Sequence, residues 1–362
     1  MTRITPQPGI MDIALYQGGR SHLAGVDDVL KLSSNENPLG APPAAIAALT
    51  GAAAGLHRYP PTDHAALRAA IGAVWGLEPD RLICGVGSDE VLQFVTQAFA
   101  GPGDEIIFTE HGFSMYPILA SMAGATRVCV PETERVVDVD AILTAVTGRT
   151  RVVLLANPAN PTGTMLPEGE LERLADGLPD YVILVIDGAY AEFAPGYDGG
   201  IGLARERANV LVTRTFSKIY GLGGLRVGWG YGPREMVDVM TRIRQPFNLS
   251  VLQLAAAEAA VRDTAWRDQC GALNMEQRAR LSGAVRQLGL ACDDSHANFI
   301  LARAADAAEA DAAEAVLNAA GILIRRVAGY GFPEGLRITV GDSAQTGRVI
   351  AALTRWREGA AA

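Results

Sequence analysis

The 362-residue sequence predicts an α/β protein: a large domain with a mostly parallel seven-stranded sheet between helices, then a smaller α+β domain. From about residue 80, short runs that are apolar throughout alternate with segments whose apolar residues recur at helical spacing. Strands of that kind, separated by helices, pair in parallel and are covered on both faces. Beyond about residue 245 the pattern changes to long helical stretches with three isolated strand-like runs. A composition that is 49% hydrophobic over this length is enough for one large core and a second, smaller one.

Residues 1–40 carry three prolines and little periodicity, so they read as an arm lying on another surface. The large domain, 41–245, has the candidate strands RLICG, EIIFTE, TRVCV, RVVLLAN, VILVIDG, NVLVTRT and LRVGWG. SDEVLQFVTQAFA follows the first of these as a helix, with Ser88 or Asp89 placed to cap it. The small domain, 246–362, opens with the helical stretch QPFNLSVLQLAAAEAAVRDTAW and has ANFILAR, GILIRR and LRITVG as strands. Alanine-rich tracts such as ARAADAAEADAAEAVLNAAG read as helix, because Ala, Glu and Leu are strong helix formers. No internal repeat is present.

A net charge of −9 and an isoelectric point near 5.2 exclude a general affinity for nucleic acid or anionic membranes, both of which need a basic face. Any anion site is therefore local. Cys84, Cys129, Cys270 and Cys292 lie far apart without metal-ligand spacing, so buried, reduced thiols and no metal site are expected. The first residues, MTRITPQPGIMDIALY, interrupt any apolar core with prolines and an aspartate, unlike a signal peptide. No window reaches the ~18 apolar residues of a membrane span. A cytoplasmic protein is expected.

Ligands of open parallel sheets bind at the carboxyl ends of the strands. GVGSDE follows RLICG and puts the backbone N–H groups of Gly87, Ser88 and Asp89 at a helix N-terminus, ready for a phosphate. The same residues also suit any short strand-to-helix turn. A dinucleotide fingerprint fails on spacing, since Glu90 and Arg226 stand where the third glycine of each candidate belongs. NPANPTG, 157–163, is a rigid turn from which Asn160 projects an amide at a strand end. Asp187 closes an apolar strand at a depth where an unpaired charge is costly and calls for a cation, or else serves as a buried cap; Tyr190 can bring its hydroxyl to the same place. Lys218, at an apolar, glycine-lined strand end, has its charged form disfavoured and becomes an amine nucleophile, unless it snorkels to solvent. Pyridoxal 5'-phosphate uses all these pieces: a lysine, a carboxylate for its ring nitrogen, donors for its phenolic oxygen, and a helix terminus with an arginine for its phosphate.

With NPANPTG, Asp187, Tyr190, the SK at 217–218 and Arg226 in that order, the chain resembles the fold-type-I pyridoxal-phosphate aminotransferases. Through KLSSNENPLG, HRYP, FSKIYGLGGLRVGW, SHANF and GLRITVG it is similar to the histidinol-phosphate aminotransferase branch over nearly its whole length. The resemblance makes Lys218 the Schiff-base lysine and proton shuttle and pairs Asp187 with the ring nitrogen. It sets Asn160 and Tyr190 on the phenolic oxygen. Gly87, Ser88, Asp89, Ser217, Arg226 and the Tyr59 of a second subunit would contact the phosphate, and Phe113 would stack on the ring. Arg337 would receive the substrate's anionic end, Arg325 would be a second arginine of the branch, and Tyr16 would reach the substrate from the neighbouring subunit. A homodimer with shared active sites follows. The chain departs from the family at His111, Gly112 and Phe113, where a proline, a small polar residue and an aromatic hydroxyl are usual; stacking survives, a hydrogen bond from position 113 does not.

The resemblance implies a ping-pong transamination of histidinol phosphate and imidazole-acetol phosphate with glutamate and 2-oxoglutarate. Two arginines suit anionic partners that take turns in one pocket. Alternatives on the same scaffold are an aromatic-amino-acid aminotransferase and a decarboxylase of a phosphorylated amino acid. A nicotinamide-dependent oxidoreductase is disfavoured by the broken fingerprints. A non-catalytic regulator would need a basic DNA-binding module, and no spare segment supplies one.

Overall fold

The computed structural model describes residues 4–15, 18–23, 25 and 28–360. The seven expected strands form one sheet in the order Leu82–Gly85, Gly228–Tyr231, Val210–Thr215, Ile183–Asp187, Thr150–Ala156, Glu105–Thr109, Thr126–Val130. All pairs are parallel except those of Gly228–Tyr231, which is antiparallel to both neighbours. Apolarity throughout a strand reveals burial on both faces, and here it does so literally. Val153, Leu155, Leu184, Ile186, Val210 and Val212 enter the core on one side, and Val152, Leu154, Ile183, Val185 and Leu211 the core on the other. Each such side chain contributes about 1.5–3 kcal/mol of transfer free energy.

The helix after the first strand runs Gly87–Phe99, so Ser88 and Asp89 lie inside its first turn and neither caps it. No side chain caps the helix start; Glu90 reaches back only to the residue before it, its carboxylate accepting from the Val86 N–H at 2.7 Å. This leaves the first-turn N–H groups of Ser88 and Asp89 aimed at the sheet's carboxyl edge. Gly228 makes the passage possible, since a Cβ there would sit 2.2 Å from the Ser88 nitrogen.

A second core gathers Leu281, Val285, Ile300, Leu317, Leu336, Ile338 and Trp356 around a four-stranded antiparallel sheet. Its order is Ala291–Cys292, Phe299–Arg303, Phe332–Thr339, Arg325–Val327. GILIRR does not form one strand: Ile322–Leu323 pairs in parallel with Leu30–Lys31 of the arm, and Arg325–Val327 joins the small sheet. The helix Val251–Arg262 places Ala256, Ala257, Ala260 and Val261 in the core of the large sheet. All four cysteines are free, but only Cys84 and Cys270 are buried: Cys292 is half-buried, and Cys129 is exposed because its strand, Thr126–Val130, forms the edge of the sheet. Among the described residues no helix is long and apolar enough to cross a membrane, and no group of side chains is arranged to hold a metal ion.

Candidate active site

Ser88, Asp89, Phe113, Asn160, Asp187, Tyr190, Ser217, Lys218, Arg226, Arg325 and Arg337 all line one cavity of about 410 Å³ at the carboxyl ends of the parallel strands. Gly87 stands beside it with φ +77, and a Cβ there would meet Arg226 Nη2 at 2.8 Å. Tyr59 lies elsewhere, 81% exposed and stacked on Phe247 at 4.6 Å between ring centroids. Tyr16 is outside the described residues.

At the cavity floor, the parallel register sets Thr213 beside Asp187. The Thr213 hydroxyl donates to Asp187 Oδ1 at 3.1 Å, and the Tyr116 hydroxyl donates to Oδ2 at 3.0 Å. Burial pushes the Asp187 carboxyl up to about 6, against the pull of those two donors. A buried carboxylate held by neutral donors alone is suited to a cationic ligand atom. Sequence reasoning missed Tyr116; its signal was its position three residues after Phe113, on the same side of the turn, where the two rings meet edge to face at 5.8 Å.

Lysine occurs at two positions in the chain, 31 and 218. Lys31 pairs with Glu36 at 2.6 Å, whereas Lys218 is half-buried, lines the cavity and donates to the Ser34 carbonyl at 3.3 Å. Burial first, and then the nearby Arg337 guanidinium, bring the Lys218 amine down to about 8. It is thus an amine with a sizeable neutral fraction at physiological pH, the condition for nucleophilic or basic action.

Arg226, in the left-handed region at φ +53, donates from Nη1 to Ser217 Oγ and from Nη2 to Asp89 Oδ2, both at 3.0 Å. Burial raises the Asp89 carboxyl, with Arg226 and Lys218 opposing. Together with the uncapped helix start, this corner is a cradle for a phosphate. Across the cavity, the buried Arg337 donates to Asn160 Oδ1 at 2.6 Å and to the Ser33 carbonyl at 3.0 Å. With Oδ1 so committed, the Asn160 NH₂ is the end left to face a ligand oxygen. Tyr190 accepts at its hydroxyl from Asn35 Nδ2 at 2.9 Å, and burial raises its pKa. Arg325 donates to the Gly18 carbonyl at 2.5 Å and lines both this cavity and a neighbouring one of about 590 Å³. The Asn157–Pro158 and Asn160–Pro161 bonds in the turn that presents Asn160 are both cis.

A lysine, a buried acid, a phosphate cradle and two arginines around one cavity describe a transferase acting on anionic substrates through a bound aldehyde, and the comparisons agree. Residues 27–353 match the model of aminotransferase class I and II, and the chain belongs to that family. It groups there with the histidinol-phosphate aminotransferases. The enzyme of that name from Ruegeria pomeroyi is 66% identical over 99% of both chains, and the one from Jannaschia sp. is 61% identical over 97% of this chain and 98% of its own. Among solved structures, histidinol-phosphate aminotransferase from Sinorhizobium meliloti in complex with pyridoxal-5'-phosphate superposes with a TM-score of 0.90 at 27% identity, covering 99% of each chain. Aspartate aminotransferase from Thermus thermophilus with maleate shares the fold, with a TM-score of 0.79 at 23% identity over 91% of each chain.

Proposed function

We propose that this chain binds pyridoxal 5'-phosphate and exchanges an amino group between glutamate and imidazole-acetol phosphate, yielding 2-oxoglutarate and histidinol phosphate. The observation that carries the reading is one cavity lined by Lys218, its amine lowered to about 8, and by Asp187, its buried acid raised to about 6. When bound there, the cofactor supplies an electron-withdrawing ring that makes the substrate's α C–H acidic. Asp187 keeps the ring nitrogen protonated, and Asn160 and Tyr190 hold the phenolic oxygen. Gly87, Ser88, Asp89, Ser217 and Arg226 bind the phosphate, and Phe113 lies against the ring. Lys218 anchors the cofactor and moves the proton at the α-carbon. Arg337 receives the anionic end common to both substrates, and Arg325 the phosphate of the larger one.

The working unit is a homodimer in the cytoplasm, with Tyr59 and Tyr16 of each subunit reaching the partner's cavity. Its support is the exposed apolar surface around Tyr59, with Leu56 60% and Phe247 46% exposed beside it. The divisions 1–40, 41–245 and 246–362 serve as arm, cofactor domain and small domain, with the helix Val251–Arg262 packed on the cofactor domain's side. The test is a visible spectrum of the purified protein, followed by steady-state assays with histidinol phosphate, phenylalanine and threonine phosphate. Preference for histidinol phosphate is expected; preference for either other amine assigns the chain to an aromatic-amino-acid aminotransferase or a phosphorylated-amino-acid decarboxylase.

A further inference from the structure

Three consecutive residues of the arm touch three different residues of the site. The Ser33 carbonyl accepts from Arg337 at 3.0 Å, the Ser34 carbonyl accepts from Lys218 at 3.3 Å, and Asn35 Nδ2 donates to the Tyr190 hydroxyl at 2.9 Å. Asn35 is 1% exposed and sits in the left-handed region at φ +56.

The direction of the last bond follows from the network around it. The backbone N–H of Asn35 donates to Thr339 Oγ1 at 3.0 Å, and Thr339 Oγ1 donates its one hydrogen to Asn35 Oδ1 at 3.1 Å. Asn298 Nδ2 holds the Asn35 carbonyl from the other side at 2.9 Å. Turning the Asn35 amide over would set its NH₂ against Thr339 Oγ1 and its oxygen against Tyr190, leaving Thr339 Oγ1 facing two donors from Asn35 and its own hydrogen without the Oδ1 acceptor. The NH₂ therefore faces Tyr190, and an amide NH₂ only donates. The Tyr190 oxygen accepts, so its own hydrogen points away from Asn35. The ring is pinned edge-on to Phe299 at 5.1 Å, and the residue lines the cavity.

We infer that Asn35 is a positioning residue that fixes the direction of the Tyr190 proton, aiming it into the cavity at the phenolic oxygen of the bound cofactor. This rests on the pyridoxal-phosphate reading above. It ties the arm and the small sheet, through Thr339 and Asn298, to the electronic state of the cofactor. An O–H aimed at that oxygen favours the form in which the oxygen carries full negative charge. Losing the aim raises the pH midpoint of the cofactor's visible absorbance.

The test is a spectroscopic pH titration of reconstituted protein, free of substrate, for the wild type, Asn35→Ala, Tyr190→Phe and the double variant. Asn35→Ala is expected to raise the midpoint by roughly half to one pH unit. Tyr190→Phe raises it at least as far, and the double variant matches Tyr190→Phe alone, because Asn35 acts through Tyr190. An unmoved midpoint in Asn35→Ala, or a double variant whose shift is the sum of the two, overturns the inference. Should Asn35→Ala fail to fold, Thr339→Val decides: it keeps the volume, frees the amide to turn, and is expected to raise the midpoint by a smaller step, where no shift overturns the inference. A wild-type protein that takes up no cofactor, with no visible band at all, sinks the pyridoxal-phosphate reading instead.

Discussion

Arg325 and Arg337 stand directly opposite one another on the antiparallel strands Arg325–Val327 and Phe332–Thr339, and both line the cavity. Like charges opposite one another on a sheet are destabilising, and an anion bound between them relieves the cost. Their surroundings differ: Arg337 is buried against Asn160 and Ser33, while Arg325 sits where the two cavities meet. Arg337→Ala is expected to lower kcat/KM for glutamate and for histidinol phosphate alike, by roughly 10- to 100-fold for a charge-assisted bond. Arg325→Ala is expected to cost histidinol phosphate more than glutamate. Equal losses for both substrates in both variants would show that Arg325 confers no phosphate selectivity.

Asp187 carries a stability prediction as well as a catalytic one. Its folded pKa of about 6 lies above the ordinary 3.8 because burial disfavours the charge. The folded chain without cofactor therefore holds a proton that the unfolded chain has lost between those pH values. The resulting penalty is absent below about 3.8 and complete above about 6. Asp187→Asn is expected to raise the melting temperature of the cofactor-free protein at pH 8, with the gain shrinking as pH falls from 6 toward 4. In the loaded enzyme the same change slows α-proton removal by several orders of magnitude, since an amide cannot hold the ring nitrogen protonated. A catalytic loss under tenfold counts against the role.

Much of this was legible because burial on both faces leaves an unbroken apolar run in the central strands; TRVCV also became a strand, but at the sheet edge, where only Val130 is buried. Strand direction was not legible: nothing in LRVGWG distinguishes the antiparallel Gly228–Tyr231 from its parallel neighbours. Ala291–Cys292 is too short to leave a pattern. Among site residues, Lys218 and Asp187 announce themselves as charges at apolar strand ends. Tyr116 and Asn35 do not, because a tyrosine on a helix face or an asparagine in an arm gains its meaning only from the partner that folding brings, 71 and 155 residues away along the chain.

Lys218 offers a test with one possible rival. Borohydride trapping of the cofactor is expected to label Lys218, and the alternative is Lys31, the only other lysine. Lys218→Ala is expected to bind the cofactor without a covalent link and to lose nearly all turnover. With the amine at about 8, covalent capture by the cofactor-free protein should rise with pH through that value and level off above it. Arg337→Ala removes the second cause of the lowering and is expected to move this midpoint upward. A label on Lys31 would falsify the assignment.

Tyr59, expected from the sequence to contact the phosphate, lies outside the cavity of its own chain, exposed and stacked on Phe247. In an isologous dimer the same surface patch meets itself across the two-fold axis, so a residue idle in its own chain can complete the partner's site. On the proposed dimer, each working site would combine Lys218 of one subunit with Tyr59 and Tyr16 of the other. A Lys218→Ala chain, inactive alone, and a chain crippled at Tyr16 and Tyr59 are expected to complement one another when mixed. In a heterodimer, the site that keeps Lys218 receives its tyrosines from the Lys218→Ala chain and is whole, and the other site lacks everything. Random exchange makes about half of the dimers mixed and so restores roughly a quarter of all sites. The measurement is specific activity after exchange, with mixing verified by mass or label. Activity that stays at the level of the separate variants would mean that the tyrosines serve their own chain.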